Sequence, residues 1–119
     1  MISDVQLFKV YGAMARYAAE AQSVSATNIA RANEPGYKAK EIESFDAFLA
    51  RVSNSAGTDP MTASFRVTES QGPMSPNGNS VSLEQEIFNS AEAMGQHSLA
   101  LSVYTKSMDL LRTAIGRRG

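Results

Sequence analysis

The strongest constraint on this chain is where its apolar periodicity falls. Two helical stripes lie at the two ends, and nothing comparable lies between them. In the last third, Ile87, Met94, Leu101, Met108 and Ile115 recur every seven residues. A seven-residue repeat sets one apolar row along a helix and leaves a seam that needs a partner. The first third carries a narrower stripe of Leu7, Val10, Met14, Tyr17, Ala21 and Val24. A chain so arranged is suited to joining other helices rather than to enclosing a substrate.

The residues divide the chain into an N-terminal helical part over 1–33, an irregular middle with turns over 34–80, and a C-terminal helical part over 81–119. The first helix is expected from about residue 4 to about 32, with Ser3 and Asp4 as N-cap candidates. Its face is small: Ala13, Ala15, Ala18, Ala19, Ala21, Ala26, Ala30 and Ala32 favour helix and permit close approach of neighbours. They add little burial energy, because that energy scales with apolar area. Gly12 is the interior weak point. Asn33-Glu34-Pro35-Gly36 ends the helix, since Pro35 removes a donor and Gly36 suits a positive φ.

In the middle, Phe45, Phe48 and Leu49 stand at i, i+3 and i+4 and predict a short helical piece. Residues 53–60 read as a mobile linker. Phe65-Arg66-Val67-Thr68 alternates like one strand. Pro76-Asn77-Gly78-Asn79 is a strong turn signal, with only a weak candidate strand before it. The final helix is expected from Ser80 or Ser82 to about 115. Ser82 and Gln85 match a capping box, and Glu84 and Glu86 sit at the positive end of the helix dipole. The fold class is therefore mainly α, with long N- and C-terminal helices forming a hairpin or coiled-coil-like pair. The middle segment between them contains short helix or β pieces.

Composition narrows the function classes. The chain has 119 residues, 43% hydrophobic and 19% charged, with a net charge of −1 and no cysteine. That balance gives no global field for nucleic acid, and the absence of cysteine rules out disulfides and thiolate metal sites. No run of eighteen apolar residues spans a bilayer, and the N-terminus lacks the pattern of a cleavable signal. The basic cluster Arg112, Arg117 and Arg118 reads as complementing a helix C-terminus. His97 has no second ligand at metal spacing. No nucleophile elbow, phosphate-cradling loop or paired acid and base accompanies the serines and carboxylates. No catalytic residue, metal, cofactor, small-molecule substrate, nucleic-acid partner or direct membrane insertion is expected. Met14, Met94 and Met108 read first as core filling, and otherwise as packing that adapts to non-identical neighbours.

The stretch Ser25-Ala26-Thr27-Asn28-Ile29-Ala30-Arg31-Ala32-Asn33-Glu34-Pro35-Gly36-Tyr37-Lys38 resembles the N-terminal signature of the bacterial flagellar axial proteins, the rod and hook family. That signature is roughly S-x-N-N-I-A-N-x-x-T-P-G-Y. The directly joined Pro35-Gly36-Tyr37-Lys38, the turn at 76–79 and the small size look most like its proximal rod members. Thr27, Arg31 and Glu34 depart from the pattern, while Asn28, Ile29, Ala30, Pro35, Gly36 and Tyr37 keep it.

The resemblance implies that the terminal helices come together and pack side by side into a tube. It also implies that terminal order is often gained on assembly. Further implications are export through the flagellar type III apparatus without a cleaved signal peptide and residence in the periplasmic rod of the basal body. Implied partners are other rod proteins, the membrane-ring/rod junction protein and the export apparatus. The residues implied in packing are Met14, Ala21, Asn28, Ile29, Pro35, Gly36, Tyr37 and the heptad row Ile87, Met94, Leu101, Met108 and Ile115. The other reading the residues permit is a soluble helical adaptor or secretion chaperone acting as a dimer.

Overall fold

The computed structural model describes residues 4–116. Two long helices dominate: α1 over Asp4–Ala30 and α3 over Leu83–Gly116, packed on each other in antiparallel fashion. Between them come β1 (Lys40–Ile42), the short helix α2 (Phe45–Ser53) and β2 (Val67–Glu69). The molecule is elongated, 66 × 29 × 18 Å. At 27 and 34 residues the long helices are unequal.

The seam between α1 and α3 is built from small side chains. Ala18 of α1 and Ala93 and Ala100 of α3 are buried. Near the open end Phe8 stacks on Tyr104, ring centroids 4.3 Å apart. Small residues let the backbones approach, and the aromatic pair supplies area that the alanines cannot.

The bulkiest core lies elsewhere. Ala13, Phe48 and Val52 form a buried cluster, with Phe45, Leu49, Ala63 and Phe65 against it. Tyr17, Phe45, Phe48 and Phe65 make a cluster of tilted, edge-on and stacked rings at 4.6–5.9 Å. The i, i+3, i+4 pattern of Phe45, Phe48 and Leu49 thus marks a helix that packs onto α1. Ser44 caps that helix, its Oγ accepting from Ala47 N at 3.1 Å.

The end of the segment expected as a mobile linker, and the residues just after it, are tied to α1. Arg16 Nη2 donates to Pro60 O at 3.1 Å and to Ala63 O, and its guanidinium lies over the Phe65 ring at 4.3 Å. Met61 lies against Gly12, where a Cβ would collide with its Sδ. The glycine that weakens the helix by propensity therefore admits this strap.

The expected strand is real but begins two residues later and ends one residue later than expected. β2 pairs antiparallel with β1, with Lys40 opposite Glu69, Glu41 opposite Thr68 and Ile42 opposite Val67. Glu43 locks this ladder to α2. Its carboxylate accepts from Arg51 Nη2 at 2.6 Å, Arg51 Nε at 3.3 Å and Arg66 N at 2.7 Å. Tyr17 donates its hydroxyl to Glu43 O at 2.7 Å, so α1 joins the same node.

At the start of α3, Ser82 Oγ accepts from Gln85 N at 3.3 Å. The Gln85 side chain turns to Asn89 Oδ1 at 2.9 Å, so only the serine arm of the expected capping box is made. Of the N-cap candidates for α1, Ser3 lies outside the described residues and Asp4 is already helical. Arg117 and Arg118 also lie outside the described residues.

Candidate assembly site

The signature residues converge at the C-terminal end of α1. Asn28 is buried, and each end of its amide is used. Its Oδ1 accepts from the Tyr37 hydroxyl at 2.8 Å and from Lys40 N at 2.9 Å, and its Nδ2 donates to Lys40 O at 2.9 Å. One side chain therefore fixes where the chain re-enters as β1 after leaving the helix. Buried amides survive only when satisfied in this way.

Between Asn28 and Tyr37 the chain reverses at Pro35-Gly36, with Gly36 at φ 76°. This turn docks on the second one. Gly36 N donates to Asn77 O at 2.9 Å, and a Cβ at Gly78 would lie 3.3 Å from Gly36 Cα. Two turns predicted separately from sequence are one structural unit.

Asn79 completes it. It is buried, and its Nδ2 donates to Arg31 O at 3.0 Å and Glu34 O at 2.8 Å, two carbonyls of the turn that follows α1. Its Oδ1 accepts from Val81 N at 2.8 Å, which sets the approach to α3. Ser80 Oγ accepts from Ala39 N at 2.8 Å. Sequence reasoning saw Asn79 only as a turn former. The available signal was a third polar, turn-compatible residue following Asn-Gly, where two suffice to turn the chain.

The remaining expected packing residues are spread along the helices. Met14 and Ala21 are half-buried, and Ile29 is exposed. The C-terminal heptad row does not form the intramolecular seam. The residues buried on α3 are Glu86, Ala93 and Ala100, one position before each of Ile87, Met94 and Leu101. One residue is about 100° around a helix. The apolar row accordingly turns away from the hairpin, with Ile87 at 63%, Met94 at 56%, Leu101 at 43% and Ile115 at 65% exposure. Met108 alone in the row is half-buried.

On the other side of the buried row, Phe88, Leu99 and Leu110 recur every eleven residues and are exposed as well. Helix α3 therefore offers apolar surface on two flanks while small residues hold it to α1.

Electrostatics are local. The hydrogen bond from Arg51 holds the Glu43 carboxyl below the usual carboxylate range, helped by the backbone bond from Arg66 and opposed by burial. The same pairing raises Arg51. Burial, then the charges of Glu43 and Glu92, raise the Tyr17 phenol. Among the described residues no three His, Asp or Glu side chains gather as a metal site requires, and no helix is long and apolar enough to cross a membrane. A groove of about 540 Å³ runs between α1, β1 and α3 and is lined by Tyr17, Glu41, Glu86 and Glu92 among others.

No protein-family model matches the chain. A curated relative, the flagellar basal body rod protein FlgB of Agrobacterium fabrum, is 32% identical over 116 residues, covering 86% of this chain and 87% of the relative. A match of that extent takes in far more than either helix or the Pro-Gly-Tyr turn alone. With a paired-helix fold clamped at Asn28 and Tyr37, it gives the assignment: this chain belongs to the flagellar basal body rod protein FlgB family.

Proposed function

We propose that this chain is a structural subunit of the proximal rod of the bacterial flagellar basal body, assembling through its terminal helices into a tubular drive shaft. Membership of the FlgB family supports a rod component. The observation that carries the assembly reading is the exposed row Ile87, Met94, Leu101 and Ile115. Contiguous exposed apolar surface on a helix marks a contact site. The second exposed set, Phe88, Leu99 and Leu110, suits a subunit with neighbours on two flanks, as a tube wall demands.

In this reading the Asn28–Tyr37 clamp and the paired turns hold the hairpin's closed end in a fixed shape. The apolar rows then meet other rod proteins, and the membrane-ring/rod junction protein at the base. The subunit acts by packing and not by catalysis. It reaches the periplasmic rod through the flagellar export apparatus without a cleaved signal peptide.

A dimeric adaptor or secretion chaperone would also cover one exposed row. It has no use for a second flank, and the family relationship favours the rod.

The test is Leu101→Asp. Leu101 is exposed in the single subunit, so the variant folds as the parent does. In the assembled tube it places a charge in an apolar seam, which is costly. Loss of rods and motility with an unchanged melting curve supports the proposal. Normal rods and motility sink it. A sharply melting, concentration-dependent dimer of the parent protein points to the adaptor instead.

A further inference from the structure

Asn77 is followed by Gly78, and no other asparagine of the chain precedes a glycine. In water this pair is chemically unstable when its backbone is free. Glycine has no side chain to shield its N–H and turns easily, so its nitrogen can reach the asparagine Cγ. The Gly78 N–Cγ bond then forms and the Cγ–Nδ2 bond breaks. The proton of Gly78 N departs with Nδ2 as ammonia, leaving a cyclic imide. Water opens the imide at either carbonyl. One product is aspartate. The other is isoaspartate, in which the main chain runs through Cγ and is one carbon longer.

In the folded chain both reacting groups are committed elsewhere. Gly78 N donates to Ser75 O at 2.8 Å, and Asn77 Oδ1 accepts from Asn79 N at 3.2 Å. The turn that carries them is docked. Asn77 O accepts from Gly36 N at 2.9 Å, Ser75 N donates to Asn79 O at 2.7 Å, and Asn79 Nδ2 is anchored on Arg31 O and Glu34 O. The Asn77 side chain is nevertheless at the surface, where water and base reach it. Burial does not protect this amide. Its protection is the docked geometry, which must open before the Gly78 nitrogen is released.

We propose that Asn77 is a modification site gated by the docking of the two turns, intact while Gly36 and Gly78 face each other and converted to isoaspartate once they part. The conversion is one-way for the fold. It takes the carbonyl that receives the Gly36 N–H out of the main chain, makes it a carboxylate, and lengthens the turn by one carbon. The paired turns then no longer fit. A subunit held unfolded therefore ages at this turn and loses the means to close it. The inference stands independently of the assembly reading.

The test follows ammonia loss and isoaspartate at Asn77 by peptide mass mapping of the full chain, kept in mildly alkaline buffer with and without strong urea. Two hydrogen bonds and the docking contact hold the reacting groups, so the native rate should be at least about tenfold below the rate in urea. Tyr37→Phe alters neither reacting residue. It removes one bond of the adjoining turn and should raise the native rate by up to about fivefold while leaving the urea rate unchanged. Asn77→Gln, at an exposed position, should abolish the signal.

The chain carrying isoaspartate at 77 should melt below the parent, whereas Asn77→Asp, with the same charge and an unlengthened backbone, should melt close to it. Equal rates in native buffer and urea overturn the proposal, as does a native rate unmoved by Tyr37→Phe. Equal melting of the isoaspartate chain and Asn77→Asp overturns the claimed effect on the fold. None of these outcomes bears on the rod reading, which Leu101→Asp tests separately.

Discussion

The Tyr37 hydroxyl and the Asn28 amide oxygen lie 2.8 Å apart, and through that bond the turn leaving α1 is anchored to the helix it has just left. Replacing Asn28 with Ala strands the Tyr37 hydroxyl and both backbone groups of Lys40. Asn28→Ala should therefore lower unfolding free energy by about 2–4 kcal/mol, and Tyr37→Phe by about 1 kcal/mol. Urea unfolding of the dilute subunit measures both. Equal and small losses would show that the clamp is not a stability determinant.

Gly78 and Gly36 face each other, but they differ in what a side chain would meet. Both have positive φ, so Ala at either should cost about 1–2 kcal/mol from the backbone alone. At Gly36 nothing lies within 4 Å of the new Cβ, whereas at Gly78 it meets Gly36 Cα at 3.3 Å. Gly78→Ala should be the more damaging of the two in thermal melts, and the reverse order would argue against the docking of the turns.

Ala100 and Leu101 are neighbours with opposite roles. Ala100 is buried in the hairpin seam, so Ala100→Leu should force α1 and α3 apart and cost about 1–3 kcal/mol. Leu101→Asp should change subunit stability by no more than about 0.5 kcal/mol. Denaturant midpoints of the two purified variants separate seam from outward face before any assembly assay is run.

Glu43 sets part of the acid limb. Its folded carboxyl holds a proton less tightly than the same group in the unfolded chain, because Arg51 and Arg66 N donate to it. As pH falls, the unfolded state takes up the proton first, and stability declines. The contribution is complete above the unfolded carboxyl value of about 4.3 and is lost below it as pH passes through the lower folded value. Glu43→Gln should give a flatter stability profile below about pH 4, read by unfolding at a series of pH values. An unchanged slope would remove Glu43 from the account.

The sequence carried the long helices and their turns because these depend on short-range signals: alanine content, Pro35-Gly36, Asn77-Gly78 and a capping serine. It carried the heptad row, but not which way that row faces. Residues 87, 94 and 101 have the same period as 86, 93 and 100, and apolarity singled out the wrong set for the hairpin seam. Alanine in the seam gives no hydropathy contrast with alanine elsewhere.

β1 was missed because three residues cannot show alternation and their partner lies at 67–69, beyond α2. Phe48 was read as part of a helix, and not as the centre of the densest core, because Phe65 and Ala63 reach it only through the Arg16 strap. In the candidate site, Asn28, Pro35, Gly36 and Tyr37 were legible from the resemblance. Asn79 was not, since it matters through Arg31 and Glu34, which are distant in the chain.

The unequal arms of the hairpin carry one more consequence. At 27 and 34 residues, α3 outruns α1 by about 10 Å. Leu110, Leu111 and Ile115 ride on that overhang, exposed and with no flanking helix among the described residues. A few helical turns without lateral support are marginal in water, so amides beyond Leu110 should exchange with solvent far faster than those around Ala100. The overhang would then slow its exchange only once a neighbouring subunit lies alongside, which makes fraying at this tip a natural clock for incorporation into the shaft.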